Sequence, residues 1–132
     1  MTTTLPSGVA ITEENANEIM RIGGPYVGTI SIDNSLISYE CVLGNYIESD
    51  DLRLIFFVKH HQVNSYHYFT INFYNRETNT AFEFDREFDM VYLGAFLGKT
   101  QLAIYPAFHD KFPERELIFD IDKEKFNSIT NF

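Results

Sequence analysis

Residues 82–90 read FEFDREFDM, a stretch in which large, mostly apolar side chains alternate with acidic ones. Alternate residues of a β-strand point to opposite faces, so this pattern predicts a strand with two different faces. One face carries Phe82, Phe84, Arg86, Phe88 and Met90. The other carries four carboxylates, spaced about 6.8 Å apart by the rise of a strand, which we call the acidic rib: Glu83, Asp85, Glu87 and Asp89.

Like charges in a row on one strand cost stability unless cations or solvent compensate them. The acidic rib therefore has two interpretations, which the sequence leaves open. It is either the solvated outer face of an amphipathic strand or a docking surface for a basic partner.

The same period of two continues on both sides of this stretch, from Tyr26 to Ile121. Turn-forming residues divide it at intervals of about ten residues without helical crossovers, which predicts an antiparallel meander. Gly44 and Asn45 interrupt one strand pattern and predict a bulge or a bend there. The predicted strands are 26–33, 36–47, 52–60, 66–74, one within 81–93, 101–108 and 117–121.

Two segments outside the meander carry helix signals. Thr12 is a suitable N-cap, two glutamates follow it, and Gly23-Gly24-Pro25 ends the pattern, which predicts a helix over Thr12–Ile22. Asp122 is a suitable cap for a short C-terminal helix over Asp122–Phe132. The predicted fold is therefore mainly β (α+β): an antiparallel meander of about seven strands that forms a curved sheet or barrel, with these two helices.

The chain has 132 residues, of which 45% are hydrophobic and 22% are charged. These values exclude wholesale disorder, and the length predicts a single domain over residues 1–132 with residues 1–10 frayed. Cys41 is the only cysteine, which excludes an internal disulfide. There is no signal-peptide pattern and no apolar run of about 18 residues, so a cytoplasmic protein is expected.

Acidic residues outnumber basic ones by 19 to 10, which gives a net charge of -9. The excess is concentrated in residues 77–124, which hold eleven acidic and five basic residues. Proteins that bind nucleic acid directly are normally basic, whereas a negative field of this kind attracts cationic proteins. We therefore expect a basic protein partner, no direct nucleic-acid binding and no membrane binding.

Residues 66–74, YHYFTINFY, also separate into two faces. One face is mostly apolar and predicts a contribution to the core, and the other carries Tyr66, Tyr68, Thr70, Asn72 and Tyr74. Rigid amphipathic tyrosines are enriched in protein interfaces, but they also line wet barrel interiors or simply pack across strands. Tyr66, Tyr68 and Tyr74 are therefore candidate partner-binding residues in addition to the acidic rib.

The sequence contains no catalytic motif. Residues 94–100, GAFLGKT, fall one residue short of a phosphate-binding loop and precede a strand pattern rather than a helix. Cys41 lies in an apolar pattern that is typical of a small core residue. The spacing of the four histidines, His60, His61, His67 and His109, matches no zinc-binding pattern. We therefore predict no metal site and no cofactor, and the absence of a catalytic motif predicts that the protein is not an enzyme.

Two functions fit these observations. The first is an acidic, non-enzymatic inhibitor that blocks a basic partner such as a nuclease or toxin, as immunity proteins and phage counter-defence proteins do. The second is a small-ligand carrier with a β-barrel or cupped sheet lined by Tyr and Phe. A closed cavity lined by the Tyr66 face favours the carrier, whereas a filled core with exposed acidic and tyrosine faces favours the inhibitor.

Overall fold

The computed structural model describes residues 1–19, 25–51, 53–106 and 116–129, and in these ranges it contains strands and turns but no helix. The predicted fold class is therefore wrong in its helices, since the described part of the chain is all-β. None of these ranges holds a helix long and apolar enough to cross a membrane. The strands are β1 (Thr2–Thr4), β2 (Ala10–Glu18), β3 (Tyr26–Ile32), β4 (Ser35–Glu48), β5 (Leu54–Val63), β6 (Tyr66–Asn75), β7 (Thr80–Phe88), β8 (Tyr92–Phe96), β9 (Gln101–Tyr105), β10 (Leu117–Asp120) and β11 (Phe126–Ser128).

Two antiparallel sheets make up the fold. The larger sheet has eight strands, with β1 to β7 side by side in chain order and β11 next to β7. The smaller sheet has three strands in the order β10-β9-β8. The meander is as predicted, but there are more strands than the sequence indicates, and neither sheet closes into a barrel within the described ranges.

The segment predicted as an N-terminal helix is strand β2. Ile11 is fully buried and pairs with Ile32 of β3, and the pairing of the two strands is interrupted only by an irregularity near Asn15, which has φ 56°. The backbone groups of β3 need partners on this side, and that requirement outweighs the capping signal of Thr12. Residues 20–22, the end of the predicted helix, lie outside the described residues.

Both ends of the described chain join the larger sheet. Within residues 1–10, which the sequence predicts to be frayed, β1 pairs with β2. The predicted C-terminal helix over Asp122–Phe132 is also wrong, because its first residues form a turn and β11 follows. The edge of β7 gains a partner in this way, and the ring of Phe126 packs edge-on against Phe73, Phe82 and Phe84. Residues 130–132 lie outside the described residues.

One predicted irregularity is confirmed, and one predicted strand is divided into two. The bulge at Gly44 and Asn45 is confirmed, since β4 shifts register against β5 around these residues and Gly44 has φ 78°. The strand predicted within residues 81–93 is in fact two strands. The chain leaves the larger sheet after Phe88 and enters the smaller sheet at Tyr92.

The first hydrophobic core lies between the two sheets. The ring centroids of Phe56 and Phe96 are 5.2 Å apart, and those of Phe84 and Phe119 are 4.9 Å apart. In each pair one residue comes from the larger sheet and the other from the smaller sheet. Asn45 adds a polar link, because its Nδ2 donates to the carbonyl oxygen of Val91 and its Oδ1 accepts from the amide of Leu93, both at 3.0 Å.

A second hydrophobic core lies on the opposite face of the larger sheet. Ile11, Ile30 and Phe57 are fully buried in it, together with Cys41. Its buried strand residues, as far as the structure describes the chain, all belong to the larger sheet. Beyond the second core, the same face of β5, β6 and β7 becomes polar and carries the candidate site.

Candidate functional site

The acidic rib lies mainly on β7, which carries Glu83, Asp85 and Glu87. Glu83 is partly buried between neighbouring strands, whereas Asp85 and Glu87 are exposed. Asp89 is exposed as well, but it follows the end of β7. The structure therefore brings three of the predicted carboxylates together on one strand and places Asp89 beyond its end.

A bulge in β7 compresses the acidic rib. Glu83 pairs with Asn72 of β6, and Glu87 pairs with Thr70. A single residue separates the two partners on β6, whereas Phe84, Asp85 and Arg86 separate Glu83 from Glu87 on β7. Three carboxylates therefore occupy a length of sheet of about 6.8 Å, which holds two on one face of a regular strand.

A cleft of about 160 Å³ lies beside this bulge. Asn127 of β11 lines it and donates from Nδ2 to Asp85 Oδ1 at 2.9 Å, which holds that carboxylate at the edge of the cleft. No lysine or arginine is among the described residues of the cleft wall. The residues that give the cleft its chemistry are Glu83, Asp85, Glu87, His61, Tyr68 and Thr70.

The three candidate tyrosines do not share one environment. Tyr66 is 53% exposed, whereas Tyr74 is only 4% exposed. Tyr74 belongs to the second hydrophobic core, and its hydroxyl donates to Asn79 Oδ1 at 2.7 Å. Tyr66 is at the surface and Tyr68 lines the cleft, so these two stay candidates for partner contact. Tyr74 does not, because its side chain is packed inside the protein.

His61 belongs to the site, although it is not among the partner-binding residues predicted from the sequence. Strand β5 continues to Val63, and this extension places His61 directly opposite Tyr68. The rings of His61 and Tyr68 stack with centroids 4.7 Å apart and planes inclined by 7°. Tyr66 stacks on Tyr68 in turn, at 5.6 Å and 26°. We call His61, Tyr68 and Tyr66 the ring stack.

Hydrogen bonds connect the ring stack to the acidic rib. His61 Nε2 lies 2.5 Å from Glu83 Oε2, and Thr70 Oγ1 donates to the same oxygen at 2.6 Å. Burial raises the pKa of Glu83, but the hydrogen bonds from His61 and Thr70, with the charge of Lys59, outweigh burial and hold that pKa below its usual range. The Glu83 carboxyl is therefore ionised at neutral pH.

Two side chains next to Glu83, those of Tyr68 and Asn72, complete the surroundings of the cleft. Burial is the main cause that raises the pKa of Tyr68, and the charges of Glu87 and Glu83 add to it. Asn72 is fully buried next to the cleft wall and donates from Nδ2 to the carbonyl oxygen of Thr70 at 2.9 Å. Its Oδ1 is buried without a hydrogen-bond partner among the described residues, so the wall retains an unsatisfied acceptor.

The other reactive side chains lie apart from the cleft. On the opposite face of the sheet, His60 Nε2 is 2.8 Å from His67 Nδ1, and His60 Nδ1 is 3.2 Å from Glu40 Oε2. His109 lies outside the described residues. Cys41 is fully buried, and burial raises the pKa of its thiol to about 12, so it is no nucleophile. Within the described ranges, no group of three or more His, Cys, Asp or Glu is placed to hold a metal ion.

His60 predicts a pH dependence of stability. Burial lowers the pKa of His60 below its ordinary value of 6.5 and outweighs Glu40, which raises it. The unfolded chain therefore binds this proton more readily, and the stabilisation by neutral His60 is complete above about pH 6.5 and is lost as the pH falls below it. We expect the free energy of unfolding of the wild type, relative to His60→Gln, to fall between about pH 7.5 and pH 5, by at most about 1.4 kcal/mol per pH unit. Denaturant unfolding of both proteins across this range is the measurement, and a constant difference would contradict the assignment.

No family model, curated protein or solved structure matches the chain. The site itself combines three carboxylates, stacked aromatic rings and a small cleft.

Proposed function

We propose that this protein is an acidic, non-enzymatic binding protein that blocks a basic protein partner such as a nuclease or a toxin, in the manner of immunity and phage counter-defence proteins. The observation that carries the proposal is the compressed acidic rib. Glu83, Asp85 and Glu87 stand together beside Tyr68, and the exposed ring of Tyr66 stacks on Tyr68. Negative charge next to aromatic contact area is complementary to a basic protein surface.

The spacing of the charges favours a partner that normally binds phosphates. One strand of DNA carries one negative charge about every 3.4 Å. Three carboxylates over about 6.8 Å of sheet approach this density, and a regular strand would reach only half of it. The bulge between Glu83 and Glu87 therefore supports imitation of a nucleic-acid backbone in the basic cleft of a nuclease.

The surroundings of the acidic rib preserve its charge. The lowered pKa of Glu83 keeps this carboxyl ionised at the pH of the cell interior. The described cleft wall holds no lysine or arginine. Arg86 lies in the bulge but pairs with a carboxylate outside the acidic rib, since its Nη1 is 3.8 Å from Glu124 Oε2. The net charge of -9 adds a long-range field that steers a cationic partner toward the protein.

The carrier function has less support. In the part of the chain that the structure describes, neither sheet closes, and the tyrosine face is divided between exposed Tyr66 and buried Tyr74 instead of surrounding one cavity.

The proposal also includes a cytoplasmic setting, in which the single Cys41 stays reduced, and it requires no cofactor. It further includes no direct contact with nucleic acid or membranes, because the net charge repels both kinds of anionic surface.

Affinity capture from the native host with three baits tests this function. The baits are the wild type, the rib variant Asp85→Lys with Glu87→Lys, and the control variant Glu14→Lys with Asp50→Lys. The control changes the net charge equally, but at exposed carboxylates on β2 and in the turn before β5. We expect a basic protein to be retained by the wild type and the control and lost from the rib variant. Retention of the same protein by all three baits, or of a partner without a basic surface, would contradict the proposal.

A further inference from the structure

The ring stack gives the cleft a property that negative charge alone does not provide. Tyr68 and His61 line the cleft together with the carboxylates of Glu83, Asp85 and Glu87. The stack continues outward to Tyr66, which is 53% exposed. A cation that enters the cleft therefore meets carboxylate oxygens and aromatic rings at the same time.

The carboxylates retain free acceptor positions. His61 and Thr70 both contact Oε2 of Glu83, and Asn127 contacts only Oδ1 of Asp85. Glu87 accepts no hydrogen bond from the described residues, although its charge acts on Tyr68. Counting only donors in the described residues, the cleft thus offers several carboxylate oxygens that accept no hydrogen bond, in addition to its aromatic surface. Asn72 Oδ1, buried behind Thr70, is likewise an acceptor without a partner in the described ranges.

The two common protein cations differ in how they use such a site. A lysine ammonium is a compact, strongly hydrated charge that gains little from an aromatic face. An arginine guanidinium is planar and weakly hydrated, so it stacks on rings and donates two parallel hydrogen bonds to one carboxylate. The ring stack offers the guanidinium aromatic surface, and the acidic rib offers it carboxylates for paired hydrogen bonds.

We propose that the cleft binds an arginine side chain of the basic partner, with the guanidinium stacked on the ring stack and hydrogen-bonded to carboxylates of the acidic rib. This inference rests on the proposed function and specifies the partner chemistry at its site. It makes the ring stack a determinant of selectivity between arginine and lysine, whereas the acidic rib determines the affinity for either cation.

Two capped peptides of equal length and charge test the inference, one with alternating glycine and arginine and one with alternating glycine and lysine. Their affinities are measured by calorimetric or NMR titration at low salt, with the wild type, Tyr66→Leu, Tyr68→Leu, Tyr68→Phe and the Asp85→Lys/Glu87→Lys variant. We expect the wild type to bind the arginine peptide about fivefold more tightly than the lysine peptide. The preference should persist in Tyr68→Phe, which keeps the ring, and should be lost in Tyr66→Leu or Tyr68→Leu.

The outcomes separate this inference from the proposed function. Equal binding of both peptides, abolished by the Asp85→Lys/Glu87→Lys variant, overturns the arginine site and leaves the acidic docking surface supported. An arginine preference that survives both leucine variants also overturns the role of the ring stack. Binding no stronger than that of the charge-reversed variant overturns both proposals. If Tyr68→Leu does not fold, exposed Tyr66→Leu carries the comparison.

Discussion

Phe56→Ala is expected to lower the free energy of unfolding by about 3–5 kcal/mol. Phe56 is fully buried, and its ring centroid lies 5.5 Å from that of Phe73, 6.5 Å from that of Phe84 and 5.2 Å from that of Phe96. Phe96 belongs to the smaller sheet, so the truncation opens a cavity where the two sheets meet. A loss of this size is a large part of the stability of an ordinary domain, which is about 5–15 kcal/mol.

Denaturant unfolding at neutral pH measures this effect, with Tyr39→Ala as the matched control. Tyr39 is an aromatic residue of β4 that is 56% exposed, so its truncation is expected to change the free energy of unfolding by no more than about 0.5 kcal/mol. If Phe56→Ala cost less than about 1 kcal/mol, the packing of the two sheets around this ring would be wrong.

The charge reversal Asp85→Lys with Glu87→Lys is expected to weaken binding of the partner by roughly 100-fold or more. Both carboxylates are exposed at the cleft, where the reversal replaces attraction to a basic surface by repulsion. The free energy of unfolding is expected to change by only about 0.5 kcal/mol, as at most surface positions. Loss of binding without loss of stability would identify the acidic rib as a docking surface.

The dissociation constant of the purified partner complex is the quantity to measure, together with unfolding of the free variant. The Glu14→Lys/Asp50→Lys control has the same net charge and should weaken binding by less than about tenfold, since its charges act only at long range. Equal losses in both double variants would mean that net charge, and not the acidic rib, governs association.

The sequence predicts a strand where its two faces differ in polarity, and also where a short apolar stretch is rich in strand-forming residues. Phe56 and Phe57 are adjacent and both fully buried, one in each core, and the long apolar stretch around them is recognised as a strand by its composition. The alternation in residues 82–90 likewise predicts the two faces of β7. Both signals are local, because composition and alternation can be read from the stretch itself without knowledge of the neighbouring strands.

The two predicted helices fail for a non-local reason. Thr12 and the glutamates after it are good helix-starting residues, but β3 lies unpaired on that side without β2. Phe126 similarly packs against three phenylalanines that the sequence does not place near it. Local capping signals are worth about 0.5–2 kcal/mol, and the pairing of a whole strand outweighs them.

The site was predicted only in part because its geometry depends on register. The sequence selected Glu83 and Tyr68 but missed His61, since the predicted strand ended at residue 60. The signal was present in Asn64 and Ser65, because a two-residue hairpin with positive φ at Asn64 fixes Val63 opposite Tyr66 and so His61 opposite Tyr68. The bulge in β7 had no such signal, because it arises from the pairing of β7 with β6.

The dependence of the association rate on salt tests the central claim most directly. Exposed charges are screened over about 8–10 Å at moderate ionic strength, so a complex steered by the acidic rib forms more slowly as salt is added. We predict that the association rate of the wild type and its partner falls at least about tenfold between low and high salt, and that the Asp85→Lys/Glu87→Lys variant associates slowly at both. The claim would be contradicted by an association rate that is insensitive to salt and equal in the wild type and the variant. If truncation of Tyr66 or Tyr68 then abolished binding, the surface would be a hydrophobic contact instead.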